Sequence, residues 1–126
     1  MIFLSGNLPA SKTYAVRTWH FLQVLSGDHP TLTVNQSRSA RPNAAVATET
    51  YDVEEDTSEL APCRTFLLRK HSDEETIYAV TIGPQDHCTC DAARAGLACK
   101  HTAAMRAVVE SGCFLTDDEA MQFAHG

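Results

Sequence analysis

The sequence lacks several features that would place it in particular classes of protein. It has 126 residues and no run of about 18 or more apolar residues, so no membrane-spanning helix is predicted. The first residues, MIFLSGNLPASK, contain a short apolar patch but neither a basic region nor an extended apolar core, which argues against a secretory signal peptide. We therefore expect a cytoplasmic protein, whose cysteine thiols stay reduced.

Basic side chains are also scarce. Ten lysines and arginines stand against sixteen aspartates and glutamates, which gives a formal net charge of −6. The acidic residues are concentrated in residues 49–59, which contain no lysine or arginine, whereas residues 60–112 are neutral in sum. A protein whose main task is to bind phosphates without sequence preference is usually basic. The charge therefore argues against a stand-alone DNA-binding protein.

Sequence motifs of catalysis are missing as well. The chain contains no phosphate-binding loop of the form G-x-x-x-x-G-K-[ST] and no internal repeat. Its length suits one domain, and its hydrophobic fraction of 44% suits a globular core. We therefore expect a small domain that is not an enzyme and has no small-molecule substrate.

The N-terminal part, residues 1–48, is predicted as a separate segment of hairpin and linker. Residues 13–25 are rich in aromatic and β-branched side chains and fit either a strand or an amphipathic helix. The strand is favoured, because the following SGDHP predicts a turn into a second strand at residues 31–36. Residues 36–48 are small and polar, as in a mobile linker. The whole segment then forms either a second layer or a flexible arm.

More strands and a helix are predicted in residues 49–112. The alternation in TYDVEED indicates a strand that ends in a solvated acidic loop, and CRTFLLRKH and TIYAVTIG have the composition of a β-hairpin. Residues 100–111 are alanine-rich and helical in spacing, with Met105, Val108 and Val109 on the side of His101. Gly112 suits a helix end. Residues 113–126 are predicted as a short C-terminal helix or tail.

Thiol and imidazole groups are concentrated in one stretch, HCTCDAARAGLACKH. Cys88 and Cys90 form one pair, and Cys99 and His101 form a second pair eight residues later. Side chains at i and i+2 of an extended segment point the same way, so each pair can supply one half of a metal site. Zinc prefers four thiolate or imidazole ligands in a tetrahedron. The spacing therefore predicts one structural Zn²⁺.

The pattern of C-x-C followed by C-x-H resembles the SWIM-type zinc finger. The resemblance rests on CTC, the spacer DAARAGLA and CKHTAAM, and it covers roughly residues 62–112. It implies an α+β fold in which a small antiparallel β-hairpin is followed by a helix, a ββα zinc finger, with a β-rich or mixed N-terminal extension. It also implies one zinc ion and binding of a protein or of DNA. The implied ligands are Cys88, Cys90, Cys99 and His101.

Other roles for these residues stay open at the level of sequence. A catalytic zinc keeps one position for water, and four protein ligands close that position. His87 is the only obvious substitute ligand, and its interpretation as a turn residue or an outer hydrogen-bond donor is favoured. Cys88 and Cys90 also fit a redox pair. Cys63 and Cys113 are predicted to be buried free thiols.

Two functions follow for a zinc-stabilised module. The favoured one is a protein-interaction adaptor, whose sheet edge, helix face or acidic segment contacts an unidentified protein partner. The alternative is nucleic-acid binding by basic residues around the finger, and Lys100 at the predicted helix start is suited to phosphate. The candidate nucleic-acid contacts are Arg64, Arg69, Lys70, Arg94, Lys100 and Arg106.

Overall fold

One antiparallel sheet contains all the strands that the structure describes. The structure is a computed structural model, and it describes residues 1–24, 29–56, 63–94 and 99–112. Each strand pairs with the strands that precede and follow it along the chain. The elements are β1 (Ile2–Leu8), β2 (Val16–Gln23), β3 (Thr31–Ser37), β4 (Val46–Asp56), β5 (Arg64–Lys70), β6 (Ile77–Ile82), β7 (His87–Cys88), α1 (Asp91–Arg94) and α2 (Lys100–Glu110).

One face of this sheet forms the core. Phe21, Leu32 and Tyr51 are register partners on β2, β3 and β4, and Val53 and Leu68 are partners on β4 and β5. All five side chains are buried. Because side chains alternate along a strand, aromatic and branched residues at every second position line this face. The cross-strand pairs therefore extend one apolar layer through the middle of the sheet.

Helix α2 covers the core face and contacts strands near both edges of the sheet. It packs against β6 and β7 near one edge and against β1 at the other edge. Contact with both edges requires the sheet to curl around the helix. The buried residues of α2 are His101, Ala104, Met105 and Val108, which recur at helical spacing. Gly112 follows with a φ of 71°, a left-handed conformation that commonly ends helices.

The predicted fold class is wrong. We expected an α+β ββα zinc finger, a small antiparallel hairpin followed by a helix, but the structure is a seven-stranded antiparallel sheet with two short helices. The N-terminal residues are the reason, since β1, β2 and β3 precede the predicted finger and join its sheet. The predicted hairpin β5–β6 is only part of this larger sheet. The helices contain 4 and 11 residues, so the fold is mostly β.

Several local predictions are confirmed. The β2–β3 pair, the β5–β6 pair and helix α2 occur where the sequence placed them. Strand β1 was not predicted, and the acidic segment expected as a loop belongs to β4. Strand β4 runs through residues 46–56, so the segments predicted as 1–48 and 49–112 share one sheet. The predicted turn at residues 26–28 and the C-terminal segment, residues 113–126, lie outside the described residues.

The described helices are short. None of those in residues 1–24, 29–56, 63–94 and 99–112 is long and apolar enough to cross a membrane. Helix α2, the longest of them, has 11 residues, and its buried side faces the sheet.

Candidate metal centre

Cys88, Cys90, Cys99 and His101 lie together beside the first turn of α2. One ligand atom from each residue lies within 4.8 Å of the ligand atoms of the other three. All four residues are buried, with 0 to 8% of their surface exposed. The structure thus brings together the four residues that the sequence pattern singled out, in an arrangement that could hold a metal ion.

The edge of the sheet positions the first cysteine pair. Cys88 lies on the short strand β7, where it is the register partner of Val80 on β6. The chain continues alongside β6, because Thr89 N donates to Ala79 O at 3.2 Å and Ala79 N donates to the Thr89 hydroxyl at 3.0 Å. Cys90 N then donates to Cys88 Sγ at 3.4 Å, which turns the second thiol towards the first. Pairing with β6 therefore holds both sulfur atoms on the core side.

The start of α2 positions the second pair. Cys99 occupies the N-cap with an extended backbone, φ −103° and ψ 127°, and its side chain makes no capping hydrogen bond. Serine, threonine or aspartate at this position usually caps the helix. The Cys99 Sγ lies instead 3.3 Å from Cys90 Sγ and 3.4 Å from His101 Nδ1. The cap position is thus occupied by a potential metal ligand.

The donor atoms fit a tetrahedral zinc ion. With Zn–S of about 2.3 Å and Zn–N of about 2.0 Å, tetrahedral ligands lie about 3.5 to 3.8 Å apart. The structure has Cys90 Sγ and Cys99 Sγ 3.3 Å apart, and His101 Nδ1 lies 3.4 Å from Cys99 Sγ and 3.7 Å from Cys88 Sγ. Three sulfur atoms and one imidazole nitrogen are also the donors that zinc selects. The residues present therefore suit this metal in chemistry, and these three separations lie near the tetrahedral values within a set of donor atoms that spans up to 4.8 Å.

Two tyrosines enclose the imidazole of His101. The hydroxyl of Tyr51, on β4, lies 2.9 Å from His101 Nε2, and the Tyr51 ring stands at 88° to the imidazole with 5.1 Å between centroids. The ring of Tyr78, on β6, lies 4.8 Å away at 32°. Sequence reasoning missed both residues, because Tyr51 is 50 positions from His101 and no local spacing connects them.

Hydrogen bonding shifts the pKa values of Cys88 and Cys99 in opposite directions. The hydrogen bond between Cys88 and Cys99 lowers the pKa of Cys99, which His101 lowers further. The same bond, together with burial, raises the pKa of Cys88. Burial also raises the pKa of the Tyr51 hydroxyl, which therefore stays neutral. Of these two thiols Cys99 is thus the first to ionise, and the thiolate is the form that binds metal.

Two of the predicted nucleic-acid contacts are engaged by acidic partners. Arg64 donates two hydrogen bonds of 2.8 Å to the carboxylate of Glu55. Arg106 is ion-paired with Asp86 and, at 3.0 Å, with Glu110. These guanidinium groups therefore serve contacts within the fold.

The other four predicted contacts do not form a single surface. Arg69 is exposed and neighbours Lys70 on β5, so the two side chains lie on opposite faces of the sheet. Lys100 opens α2, where burial and the nearby charges of Arg17 and Lys70 lower its pKa. Arg94 is exposed on α1. The structure thus brings together Lys70 and Lys100, with Arg17 as a neighbour that the sequence did not indicate.

The remaining thiols and the neighbouring histidine lie outside the cluster. His87 is exposed, whereas Cys88 next to it is buried, and His87 does not belong to the group of potential ligands found among the described residues. Cys63 is a free thiol that is half-buried rather than buried as predicted. The prediction for Cys113 falls outside the described residues.

The cluster of potential metal ligands is the feature of this chain that indicates a function. No family model, curated protein or solved structure matches the chain. The function is therefore inferred from the order of the four potential ligands, their burial and the distances between their donor atoms.

Proposed function

We propose that this chain is a zinc-binding module in which one structural Zn²⁺ is held by three cysteines and one histidine. The observation that carries the proposal is the set of four buried donor atoms within 4.8 Å of one another. Zinc would supply a cross-link that needs no oxidation, which suits a protein with free thiols. The proposed ligands are Cys88, Cys90, Cys99 and His101.

The arrangement favours a structural role over a catalytic one. Four protein ligands complete a tetrahedron and leave no position for the water that hydrolytic zinc needs. The four residues are buried, which disfavours access of a substrate to the ion. Structural zinc sites contribute on the order of 10 kcal/mol, against a stability of about 5–15 kcal/mol for a whole domain. The ion would therefore fasten β7 to the start of α2.

The finer assignment is an adaptor that binds a protein partner. The spacing of C-x-C and C-x-H supports a relationship to SWIM-type zinc fingers at the level of the site. The net charge of −6 and the internal pairing of Arg64 and Arg106 favour a protein partner over DNA. Glu54 is exposed on the sheet face opposite the helix, where a basic side chain of a partner would find a carboxylate.

Nucleic-acid binding is the second candidate. It rests on Lys70 and Lys100, because the charges of Lys70 and Arg17 both act on the ammonium group of Lys100. Binding to a random DNA duplex should be measured at several salt concentrations. We expect no salt-dependent binding in the physiological range. A slope of log K against log salt that corresponds to several neutralised phosphates would favour DNA over a protein partner.

Metal content and folding test the main proposal together. Native mass spectrometry and elemental analysis of the full chain should find one zinc per molecule, and a strong chelator should remove it. We expect chelation to lower the melting temperature by about 10 °C or more, because a ligand that binds only the folded state adds its binding free energy to stability. A chain that takes up no zinc, or melts at the same temperature after chelation, would contradict the structural role.

A further inference from the structure

His101 has two ring nitrogens, and their surroundings differ. Nδ1 faces the thiols, at 3.4 Å from Cys99 Sγ and 3.7 Å from Cys88 Sγ. Nε2 faces away from them and lies 2.9 Å from the hydroxyl of Tyr51. A neutral imidazole carries its proton on one nitrogen only, and the partner of one nitrogen sets what the other can bind. The tautomer of His101 therefore decides whether Nδ1 can act as a ligand.

We propose that Tyr51 is a positioning residue, whose hydroxyl accepts a hydrogen bond from His101 Nε2 and thereby directs Nδ1 to the metal. The inference rests on the proposed function, since it concerns the same zinc site. With the proton on Nε2, the lone pair of Nδ1 points towards the three sulfur atoms. An outer hydrogen-bond partner of this kind fixes the orientation of a ligating histidine and increases its basicity.

The fold holds Tyr51 rigidly enough for this task. It lies on β4, within the sheet, with Leu32 and Lys70 as register partners on either side. Its side chain is 1% exposed, and its ring meets the imidazole of His101 at 88°. The ring of Tyr78 packs against the same imidazole at 4.8 Å between centroids. Together the two rings restrict rotation of the imidazole, so Nε2 stays within reach of the hydroxyl.

The assignment extends the site beyond the cysteine motif. Tyr51 lies on β4, whereas the four potential ligands lie on β7, the start of α1 and α2. The hydrogen bond from His101 to Tyr51 links the metal, through the imidazole, to the middle of the sheet. Zinc affinity then depends on a residue 50 positions away from the histidine it supports.

The first test compares Tyr51→Phe with Tyr78→Phe in the full chain. Each change removes one hydroxyl and keeps the ring that packs on His101, so Tyr78→Phe is the matched control. Competition with a chelator should show zinc affinity reduced roughly 10- to 100-fold in Tyr51→Phe, the range typical of lost outer-sphere partners, and nearly unchanged in Tyr78→Phe. Equal affinities of wild type and Tyr51→Phe would overturn the proposal. So would equal losses in both variants, since the effect would then be general destabilisation.

The second test uses the wild-type chain and does not depend on any variant folding. Long-range ¹H–¹⁵N spectra of the zinc-loaded protein should show Nδ1 of His101 bound to metal and a proton on Nε2 that exchanges slowly with water. In zinc-loaded Tyr51→Phe that proton should exchange faster, because it has lost its hydrogen-bond acceptor, whereas in Tyr78→Phe it should still exchange slowly. Coordination through Nε2, or a wild-type Nε2 proton that exchanges freely, would overturn the role of Tyr51.

The outcomes separate this inference from the proposed function. A wild-type chain that takes up no zinc would refute both. One zinc per chain, together with unchanged affinity in Tyr51→Phe, would refute the role of Tyr51 and leave the zinc site in place.

Discussion

At the scale of single residues, the metal site and the core place strict demands on individual side chains. Cys99 stands where a helix usually has a capping side chain, and its sulfur faces the other ligands instead. Gly6 lies against Trp19, where a Cβ atom would come within 2.8 Å of the indole nitrogen. Both positions therefore lend themselves to single substitutions with defined outcomes.

Replacement of Cys99 by serine should remove the metal without harming the helix cap. Serine is a good N-cap residue, so a loss of stability would report the lost thiolate rather than the lost cap. We expect zinc affinity to fall by at least about 100-fold, more than the loss of an outer-sphere partner causes, together with a lower melting temperature. Chelator competition and thermal denaturation provide the measurements. Cys63→Ser, at a thiol outside the cluster, should keep one zinc per chain.

If Cys63→Ser lost zinc as completely as Cys99→Ser, the assignment of ligands would be wrong. An unchanged zinc affinity in Cys99→Ser would contradict it equally, because three remaining donors should not hold the ion as tightly as four.

The substitution Gly6→Ala should destabilise the fold through steric conflict with the indole of Trp19. Overpacked sites of this kind typically cost about 1–3 kcal/mol. Chemical denaturation would measure the change, and Ser5→Ala on the exposed side of the same strand is the control. Equal stability of Gly6→Ala and the wild type would show that β1 and Trp19 are less closely packed than the structure indicates.

At the scale of secondary-structure elements, Arg106 fastens α2 to the segment between β6 and β7. Its guanidinium is ion-paired with Asp86 and donates to the Gly83 carbonyl at 2.7 Å. The same group reaches Glu110, one turn further along the helix, at 3.0 Å. Because β7 carries Cys88, this contact helps to set the distance between the two halves of the metal site.

Substitution of Asp86 by asparagine should weaken this attachment. Charge-assisted pairs that are partly exposed contribute about 0.5–1 kcal/mol, and the loss should appear as a lower midpoint of denaturation at pH 7. Glu110→Gln is the matched control on the same arginine, and its effect should be smaller, about 0.3–0.5 kcal/mol. A larger effect for Glu110→Gln would place the stabilising contact on the helix surface instead.

The Asp86 contribution should also depend on pH. The hydrogen bonds from Arg106 lower the pKa of Asp86 in the folded state below its ordinary value of about 3.9. The stabilisation is therefore present above about pH 4 and is lost as the pH falls through the folded-state pKa. Denaturation curves of the wild type and of Asp86→Asn should converge at low pH. A constant difference between pH 7 and pH 2 would rule out ionisation of Asp86 as the cause.

At the scale of the whole molecule, α2 joins the first and the last strands of the sheet. It contacts β1 as well as β6 and β7, so residues far apart in sequence enclose one core. Strand β4 also places Tyr51 against His101. The N-terminal strands β1, β2 and β3 lie on one side of β4 in the sheet, with β3 paired to it. The cluster of potential metal ligands is therefore in contact with the middle of the sheet.

A fragment that begins at residue 49 should not fold as an independent zinc finger. It would lack β1, β2 and β3 and would expose apolar side chains that these strands cover, among them Tyr51 and Val53. We expect a broad thermal transition and weaker zinc binding than in the full chain, measured by circular dichroism and chelator competition. A sharp transition together with full zinc affinity would show that residues 1–48 are dispensable for the site.

The sequence by itself determined the features that depend on neighbouring residues. The spacing of Cys88, Cys90, Cys99 and His101 indicated the metal cluster, helical spacing of apolar residues indicated α2, and β-rich composition with turn residues indicated the hairpins. These signals can be read from the sequence because side-chain direction is set locally. It repeats every two residues in a strand and about once per turn in a helix.

Only the tertiary structure decided the seven-stranded sheet, its curl around α2, and the contact of Tyr51 with His101. Strand pairing is made by backbone groups that every strand presents alike, so composition does not say which segments pair, and the uncharged, glycine-containing β1 carried no clear alternating signal. A tyrosine 50 residues from its partner has no local spacing to reveal it. Its place is set by the register of strands that meet only when the whole chain has folded.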